Sequence, residues 1–197
     1  MPKLLGMLVA AGLIAVSGCS PVQQPASGRQ VEAVEVPLHT PADRADLMAI
    51  LRRHAAVGGL EMDDVSDRWQ RFGREAQAGR PDPTNVLTKT IYVGLWGDSS
   101  DDDPVLFVDD GGRQGRPWLD FFRGKHPEAA AKLRAGLLAD IRQRWPRTRD
   151  IPIMPNGALP LDTDLIWTGQ AYVVKPDRVA QYAATNPDDA NMASAQH

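Results

Sequence analysis

The chain has 197 residues and a formal net charge of −3, and 43% of its residues are hydrophobic. This length allows one modest domain, and the nearly balanced charge indicates no strong electrostatic steering of the protein toward nucleic acid. A single cysteine, Cys19, excludes an internal disulfide framework, so stability has to come from burial of apolar side chains.

The N-terminal segment has the three-part organisation of a secretory signal peptide. Lys3 supplies a positive charge, residues 4–16 form an apolar run, and Ser17 and Gly18 are small. The run is too short for a transmembrane helix, which needs about 20 apolar residues. We therefore predict that residues 1–18 are a signal peptide that the mature protein lacks.

Residues 16–19, "VSGC", resemble the lipobox of bacterial lipoprotein signal peptides. This resemblance covers residues 1–19 only. It implies cleavage before Cys19, a diacylglyceryl thioether on its sulfur and acylation of the new amino terminus, an anchor that several acyl chains would make firm. Ser20 stands where an aspartate usually retains such proteins in the inner membrane, which favours the outer membrane, facing the periplasm.

The anchor is followed by a linker and then by the predicted domain. Residues 19–40 are rich in Pro, Gln and Ser, which indicates a flexible tether. Within it, residues 31–36 alternate apolar and acidic side chains, a pattern compatible with an edge strand. Residues 184–197 are small and polar, and we expect a disordered tail there. A single α+β domain is predicted over residues 41–183.

Two amphipathic helices open this domain. Thr40 and Pro41 are a typical helix start, and Gly58-Gly59 is a typical stop. A second apolar stripe runs from Met62 to Ala76 at helical spacing. Because the connection between them is short, we predict that the two helices pack as a hairpin.

The pattern then changes to that of a sheet. Residues 87–96 alternate as in a half-buried strand, and residues 104–108 are apolar throughout, as in a central strand. A third amphipathic helix follows residue 126; its apolar arc includes Arg134, which either pairs with an acid from a strand or marks the edge of the packed face. Residues 165–174 alternate as one long strand. The predicted fold is a helical hairpin followed by a small, mostly antiparallel sheet of three or four strands, packed by an amphipathic helix.

An acidic cluster between the first two strands is a candidate metal site. Its carboxylates are oxygen ligands of the kind that calcium prefers, but the spacing does not fit an EF-hand loop. A solvated hairpin tip is the favoured interpretation, so no metal is predicted. The candidate ligands are Asp98, Asp101, Asp102 and Asp103.

Asp109, Asp110 and His54 are the candidate catalytic residues. The two aspartates end a strand ahead of two glycines, a common setting for an acid or base, but neighbouring strand residues point to opposite faces. His54 lies on an apolar helix face, where a partly buried histidine bonded to a carbonyl is usual. The sequence contains no nucleophile elbow, phosphate loop, dinucleotide fingerprint or zinc motif. No catalytic residue and no cofactor is therefore assigned.

The last candidate is a basic run near the end of the third helix. Together with the proline-rich loop 152–160, it is the predicted partner-binding region. Positive charge there also stabilises a helix C-terminus, which is an equally good explanation. The members of the run are Arg142, Arg144, Trp145, Arg147 and Arg149.

These observations favour a non-enzymatic envelope lipoprotein that binds another protein. Its partners would be the membrane, through Cys19, and an envelope protein, with no nucleic acid. Two alternatives stay open. One is an envelope hydrolase of peptidoglycan or peptides that uses Asp109 or Asp110. The other is a binder of a small ligand or cation.

Overall fold

Helices and an antiparallel sheet form a mixed fold. The computed structural model describes residues 28–77, 91–97, 104–111, 113 and 115–183, with the backbone alone at 72–77. In chain order the elements are β1 (Gln30–Glu35), α1 (Pro41–Gly58), β2 (Glu61–Asp64), α2 (Ser66–Gln77), β3 (Tyr92–Trp96), β4 (Pro104–Asp109), β5 (Trp118–Phe122), α3 (Pro127–Arg144), β6 (Arg149–Asp150), a 3₁₀ turn (Asp162–Asp164), β7 (Leu165–Trp167), β8 (Tyr172–Val174) and a 3₁₀ turn (Val179–Tyr182).

Six of the described strands form one sheet in the order β2-β3-β4-β5-β1-β6, which is larger than the predicted three or four strands. β1 lies inside this sheet, where Val34 pairs with Leu119 of β5 and with Asp150 of β6. The prediction that the tether extends to residue 40 and that the domain begins at residue 41 is therefore wrong. The alternation in this segment reflects a strand with two buried faces, because Val34 and Glu35 are both buried.

The predicted hairpin of the first two helices is also wrong. Gly59, with φ of 64°, ends α1 as predicted, but the chain then runs extended through β2, which pairs with β3. α1 packs against α3 instead. α2 lies against β3, where the ring of Trp69 meets Tyr92 edge-on at 5.5 Å between centroids.

The main core lies between the sheet and the pair formed by α1 and α3. Both helices turn an aliphatic stripe toward the strands, and β3, β4 and β5 contribute alternate residues to the same layer. The largest fully buried side chains of this core are Leu47, Leu51, Leu95, Leu106, Leu119, Phe121, Leu137 and Ile141.

Arg134 forms an ion pair, which is one of the two arrangements predicted for it. Its Nε lies 3.2 Å from Oε2 of Glu32, so the arginine in the apolar arc of α3 pairs with an acid from strand β1. The same glutamate lies 3.5 Å from Arg142, about two turns further along the helix. These ion pairs align α3 with the sheet.

The segment 165–174 forms a hairpin, and the prediction of one long strand is wrong. Leu165 pairs with Val174, and Trp167 pairs with Tyr172. Gly169 sits in the connecting turn with φ of 96°, a backbone conformation that favours glycine, and it reverses the chain there. Apolar alternation continues through both strands of a hairpin, which is why the two arrangements look alike in sequence.

The hairpin covers part of the sheet face that lies opposite the helices. Leu165 and Tyr172 join a second buried cluster with Trp118 of β5 and Ala33 of β1. Strand β5 was not predicted, because its Asp120 and its short length hide the strand pattern. The hairpin and β5 together enclose the polar cluster described below.

Candidate functional site

Several predicted site residues lie outside the described residues. They include the lipidation residue Cys19, the sorting residue Ser20 and the whole acidic cluster Asp98, Asp101, Asp102 and Asp103. In the part of the chain that is described, no three or more His, Cys, Asp and Glu side chains are grouped so as to hold a metal ion.

The candidate catalytic residues do not converge. Asp109 lies on the sheet face opposite the main helices, where Nη2 of Arg113 approaches its Oδ1 to 3.2 Å. Asp110 follows the strand and is fully buried. His54 lies on α1, among the residues that cover the other face. The three side chains therefore do not form a joint acid-base site.

His54 is bonded to a carboxylate and not to the carbonyl that was expected. Its Nε2 lies 2.7 Å from Oδ2 of Asp140 on α3, and Nη2 of Arg53 approaches the same oxygen to 2.7 Å. The hydrogen bond from His54, followed by that from Arg53, lowers the pKa of Asp140. This arrangement joins α1 to α3 and fixes the imidazole ring in the wall of a cavity.

A buried carboxylate, Glu35, is the centre of a polar cluster on the opposite face. Only 2% of its surface is exposed. The hydroxyl of Tyr172 donates to its Oε1 at 2.9 Å, and Nη1 of Arg149 lies 3.6 Å from the same oxygen. Oε2 accepts from Arg116 and from the indole of Trp118, each at 3.4 Å. Burial, together with the hydrogen bond to Glu35, raises the pKa of Tyr172.

Sequence reasoning missed this cluster. Glu35 lies in the segment that was predicted as tether, and Tyr172 lies in the misassigned strand. The signal that could have found it is the acidic residue at an inward position of the alternating segment 31–36. A buried acid requires cationic or hydrogen-bonding partners from elsewhere in the chain.

The predicted basic region is largely engaged within the molecule. Arg144 pairs with Asp43 at 3.2 Å and with Asp46 at 2.9 Å. Arg142 lies 2.8 Å from Asp150, in addition to its contact with β1. Arginine side chains that already have carboxylate partners present little unbalanced charge to a second protein.

Two further members of the basic region serve the fold. Trp145 is buried, with only 5% of its surface exposed, so it cannot form a partner surface as predicted. Its indole nitrogen donates to Asp43 at 3.2 Å. Arg149 is held against Glu35, and its guanidinium stacks on the ring of Trp167 at 4.1 Å. Arg147 is exposed in the turn before β6.

Exposed apolar side chains concentrate in the C-terminal unit. Of the six large hydrophobic side chains exposed in the described residues, one is Val57 on α1, and five lie between residues 161 and 179. Ile166 and Val173 are direct cross-strand partners on the outer side of the hairpin. We call the five residues the C-terminal surface; they are Leu161, Ile166, Trp167, Val173 and Val179.

Internal contacts hold this unit together. Asp164 is buried and accepts from the hydroxyl of Tyr182 at 2.6 Å and from Gln181 at 2.6 Å. The hydrogen bond from Tyr182 is the main reason why the pKa of Asp164 is lowered. The same tyrosine oxygen accepts from the backbone of Leu161 at 3.0 Å. The turn at 162–164, the hairpin and the last turn are thus tied together beneath exposed apolar side chains.

Comparisons with known proteins identify no similar family, protein or structure. The chain matches no family model, and searches of curated proteins and of solved structures likewise find no match. Among the described residues, no helix has both the length and the apolar character needed to cross a membrane.

Proposed function

We propose that this protein is a non-enzymatic, lipid-anchored envelope protein whose C-terminal surface binds another protein of the envelope. The observation that carries the proposal is the concentration of five exposed apolar side chains on one small structural unit. Ile166 and Val173 lie side by side on the outer side of the hairpin, and adjacent exposed apolar side chains mark interaction sites.

The location within this proposal comes from the lipobox resemblance of residues 16–19. Lipidation of Cys19 would hold the domain near a membrane, so a weak contact would gain from the raised effective concentration of its partner. The favoured location is the outer membrane, with the domain in the periplasm.

The chemistry of the C-terminal surface suggests what the partner offers. Its centre is apolar, through Ile166 and Val173 on the outer side of the hairpin. The exposed side chain of Arg147, in the turn before β6, adds positive charge, whereas Arg178 is paired with Asp164 and Asp177. A partner with an apolar contact surrounded by acidic residues would complement both features.

In-cell crosslinking of the affinity-tagged, lipid-anchored protein tests this proposal. We expect one envelope protein to co-purify in stoichiometric amount. The double substitution Ile166→Asp and Val173→Asp should abolish capture, because it places charge at the centre of the C-terminal surface. Val57→Asp is the matched control, since it charges an exposed apolar side chain on α1.

Two further variants separate the parts of the proposal. Arg147→Glu should weaken capture without unfolding the domain, whereas reversal of Arg149 would disturb the Glu35 cluster and is unsuitable as a test. Cys19→Ser should release the protein from the membrane fraction. Capture that survives the double substitution, or no stoichiometric partner of the correctly anchored protein, would reject the proposed surface.

A further inference from the structure

Strand β8 pairs with one strand only in the part of the chain that the structure describes. The small sheet consists of β7 and β8, so each of the two strands has one neighbour and one open edge. Sheets in proteins usually have about four to six strands, and a two-stranded hairpin contributes little stability by itself. The hairpin can therefore accept a further strand.

The hydrogen bonds at the two ends of the hairpin show which backbone groups point outward. At one end the N–H of Thr168 donates to the carbonyl of Ala171 at 3.0 Å, and at the other the N–H of Lys175 donates to the carbonyl of Asp164 at 2.8 Å. Hydrogen-bonded pairs alternate with non-hydrogen-bonded pairs along an antiparallel ladder. The even-numbered residues of β8 therefore turn their N–H and C=O groups away from β7.

These outward-pointing residues of β8 are Tyr172 and Val174. No other residue of the described chain forms a hydrogen bond with the backbone N–H or C=O of either one. The outer edge of β7 is already partly used, because the N–H of Leu165 donates to the carbonyl of Asp162. Of the two edges of the hairpin, β8 thus offers the more complete row of backbone donors and acceptors.

The edge strands of the larger sheet carry charges that β8 lacks. β2, at one edge, has exposed Glu61, Asp63 and Asp64, and β6, at the other edge, consists of Arg149 and Asp150. Charged side chains on an edge strand discourage pairing with a strand of another chain. β8 has the sequence Tyr-Val-Val, without a charge or a proline, so nothing in its own sequence opposes such pairing.

The exposed side chains beside this edge are apolar. Ile166 and Val173 are partners across the two strands, and they are 44% and 43% exposed on the outer side of the hairpin. A strand added along β8 would place one of its own side chains next to Val173. Burial of apolar surface between such neighbours would stabilise the added strand.

We propose that β8 binds an extended segment of the partner protein as a third strand, with backbone hydrogen bonds to Tyr172 and Val174 and an apolar side chain against Val173. The segment would carry β-branched or aromatic residues at alternate positions and no proline between them. This inference rests on the proposed function, because it describes how the C-terminal surface engages its partner.

Peptides selected from a phage-displayed library of random nine-residue sequences test this proposal. The target is the full-length chain carrying Cys19→Ser, and counter-selection on the double variant Ile166→Asp and Val173→Asp keeps peptides that need the C-terminal surface. N-methylation of every second residue of a selected peptide should weaken binding about tenfold, because it removes a hydrogen bond to the edge of β8. N-methylation of the residues between them should have little effect.

Amide hydrogen exchange with the peptide bound locates the contact. Exchange should slow at Tyr172 and Val174, whose N–H groups point outward, and it should stay unchanged at Trp167 on the opposite edge of the hairpin. These amides report on strand pairing directly, since an apolar contact alone would not protect alternate residues of one edge.

Variants of β8 provide a second measurement. Val174→Pro removes an outward N–H but none of the hydrogen bonds between β7 and β8, and it should weaken peptide binding about tenfold. Val173→Lys places a charge on the edge and should also weaken binding. Val57→Lys, which charges an exposed apolar side chain on α1, should bind the peptide as the wild type does.

Four results would overturn the proposal. They are the failure to select any peptide, equal effects of N-methylation at successive residues, unchanged exchange at Tyr172 and Val174, and protection of both amides in the isolated protein. In the last case a second copy of the chain, or its residues 184–197, would already cover the edge. If Val174→Pro lowers the melting temperature, the N-methylation pattern decides the question.

Failure of this inference is distinguishable from failure of the proposed function. Capture of an envelope protein that is lost in the double variant but unchanged in Val174→Pro would reject strand pairing and leave the proposed function intact. Absence of any captured envelope protein, together with the alternating N-methylation pattern, would reject the proposed function and leave the strand-binding edge.

Discussion

Asp43 connects the start of α1 to the end of α3. Its Oδ2 accepts from the backbone of Thr40 at 2.9 Å, and the Thr40 hydroxyl accepts in return from the backbone of Asp43 at 3.1 Å, which completes a capping box. Its other oxygen accepts from Trp145 and Arg144, each at 3.2 Å. One carboxylate therefore both caps the start of α1 and joins α1 to α3.

The contacts of Asp43 predict that the folded protein loses stability at low pH. Hydrogen bonds, first from Thr40 and then from the backbone of His39 and from Trp145, lower the pKa of Asp43 from 3.8 to about 2. Because the folded pKa is the lower one, this stabilisation is complete above the unfolded value and is lost as the pH falls toward 2. Urea unfolding of the wild type should therefore show falling stability across that window. The Asp43→Asn variant should be less stable than the wild type at neutral pH, and its stability should change less with pH below pH 3.8. The Asp63→Asn variant, at an exposed position, should show the same pH dependence of stability as the wild type.

Glu35 gives a second prediction at this scale. Glu35→Ala would leave Arg149, Arg116 and the Tyr172 hydroxyl without their common acceptor in a buried cluster. Breaking a buried ion pair in this way costs about 3–5 kcal/mol of unfolding free energy. Chemical denaturation should show that loss, with a smaller one for Glu35→Gln, which keeps an acceptor oxygen. Equal stability of Glu35→Ala and the exposed Glu61→Ala would contradict this account of the cluster.

At the scale of elements, the hairpin of β7 and β8 is held by contacts within its own turn. The connection between β7 and β8 is organised by Thr168, whose hydroxyl donates to the carbonyl of Ala171 at 3.0 Å, and by Gly169. The turn lies at the surface, and its two short strands expose Ile166 and Val173. The conformation of the C-terminal surface therefore depends strongly on the backbone geometry of this turn.

Gly169→Ala tests the turn. Glycine has no steric penalty at φ of 96°, whereas a side chain with L configuration is strained there by about 1–2 kcal/mol. We expect the hairpin to open more often while the main core stays intact, since the two belong to separate clusters. Amide hydrogen exchange should quicken at Lys175, whose N–H donates to the backbone carbonyl of Asp164, but not in α3. Gln170→Ala, next to the turn glycine, should not quicken it.

At the scale of the whole molecule, β1 joins parts that are far apart in the chain. It pairs with β5 on one side and with β6 on the other, and its two faces supply Val34 to the main core and Glu35 to the polar cluster. Removal of β1 would take away the strand that pairs with β6, and it would expose the main core and the polar cluster to solvent. The fold therefore depends on residues inside the segment that was predicted as a tether.

Two truncations test this dependence. A chain that begins at residue 28 keeps β1 and should unfold cooperatively in urea, whereas a chain that begins at residue 37 lacks β1 and should not fold. The second chain loses β-sheet hydrogen bonds and the buried Val34 and Val36 together. A cooperative transition of the shorter chain with an unchanged midpoint would show that β1 is dispensable.

Features that depend on neighbouring residues were predictable from the sequence. The start of α1 at Pro41 follows from the Thr40 cap, its end follows from Gly59, and β4 follows from an apolar run. The start of α3 at Pro127 follows in the same way. The lipobox at residues 16–19 is likewise a local pattern, and the anchoring that it implies stays a prediction.

Only the tertiary structure decided which elements meet. Whether α1 packs on α2 or α3, and whether residues 30–35 form a tether or an inner strand, depends on contacts between distant segments that periodicity does not record. The same is true of Glu35, whose partners come from β5, β6 and β8, and of the cavity beside His54. Sequence patterns determine which face of an element is apolar, whereas the free energy of burying all such faces together determines their neighbours.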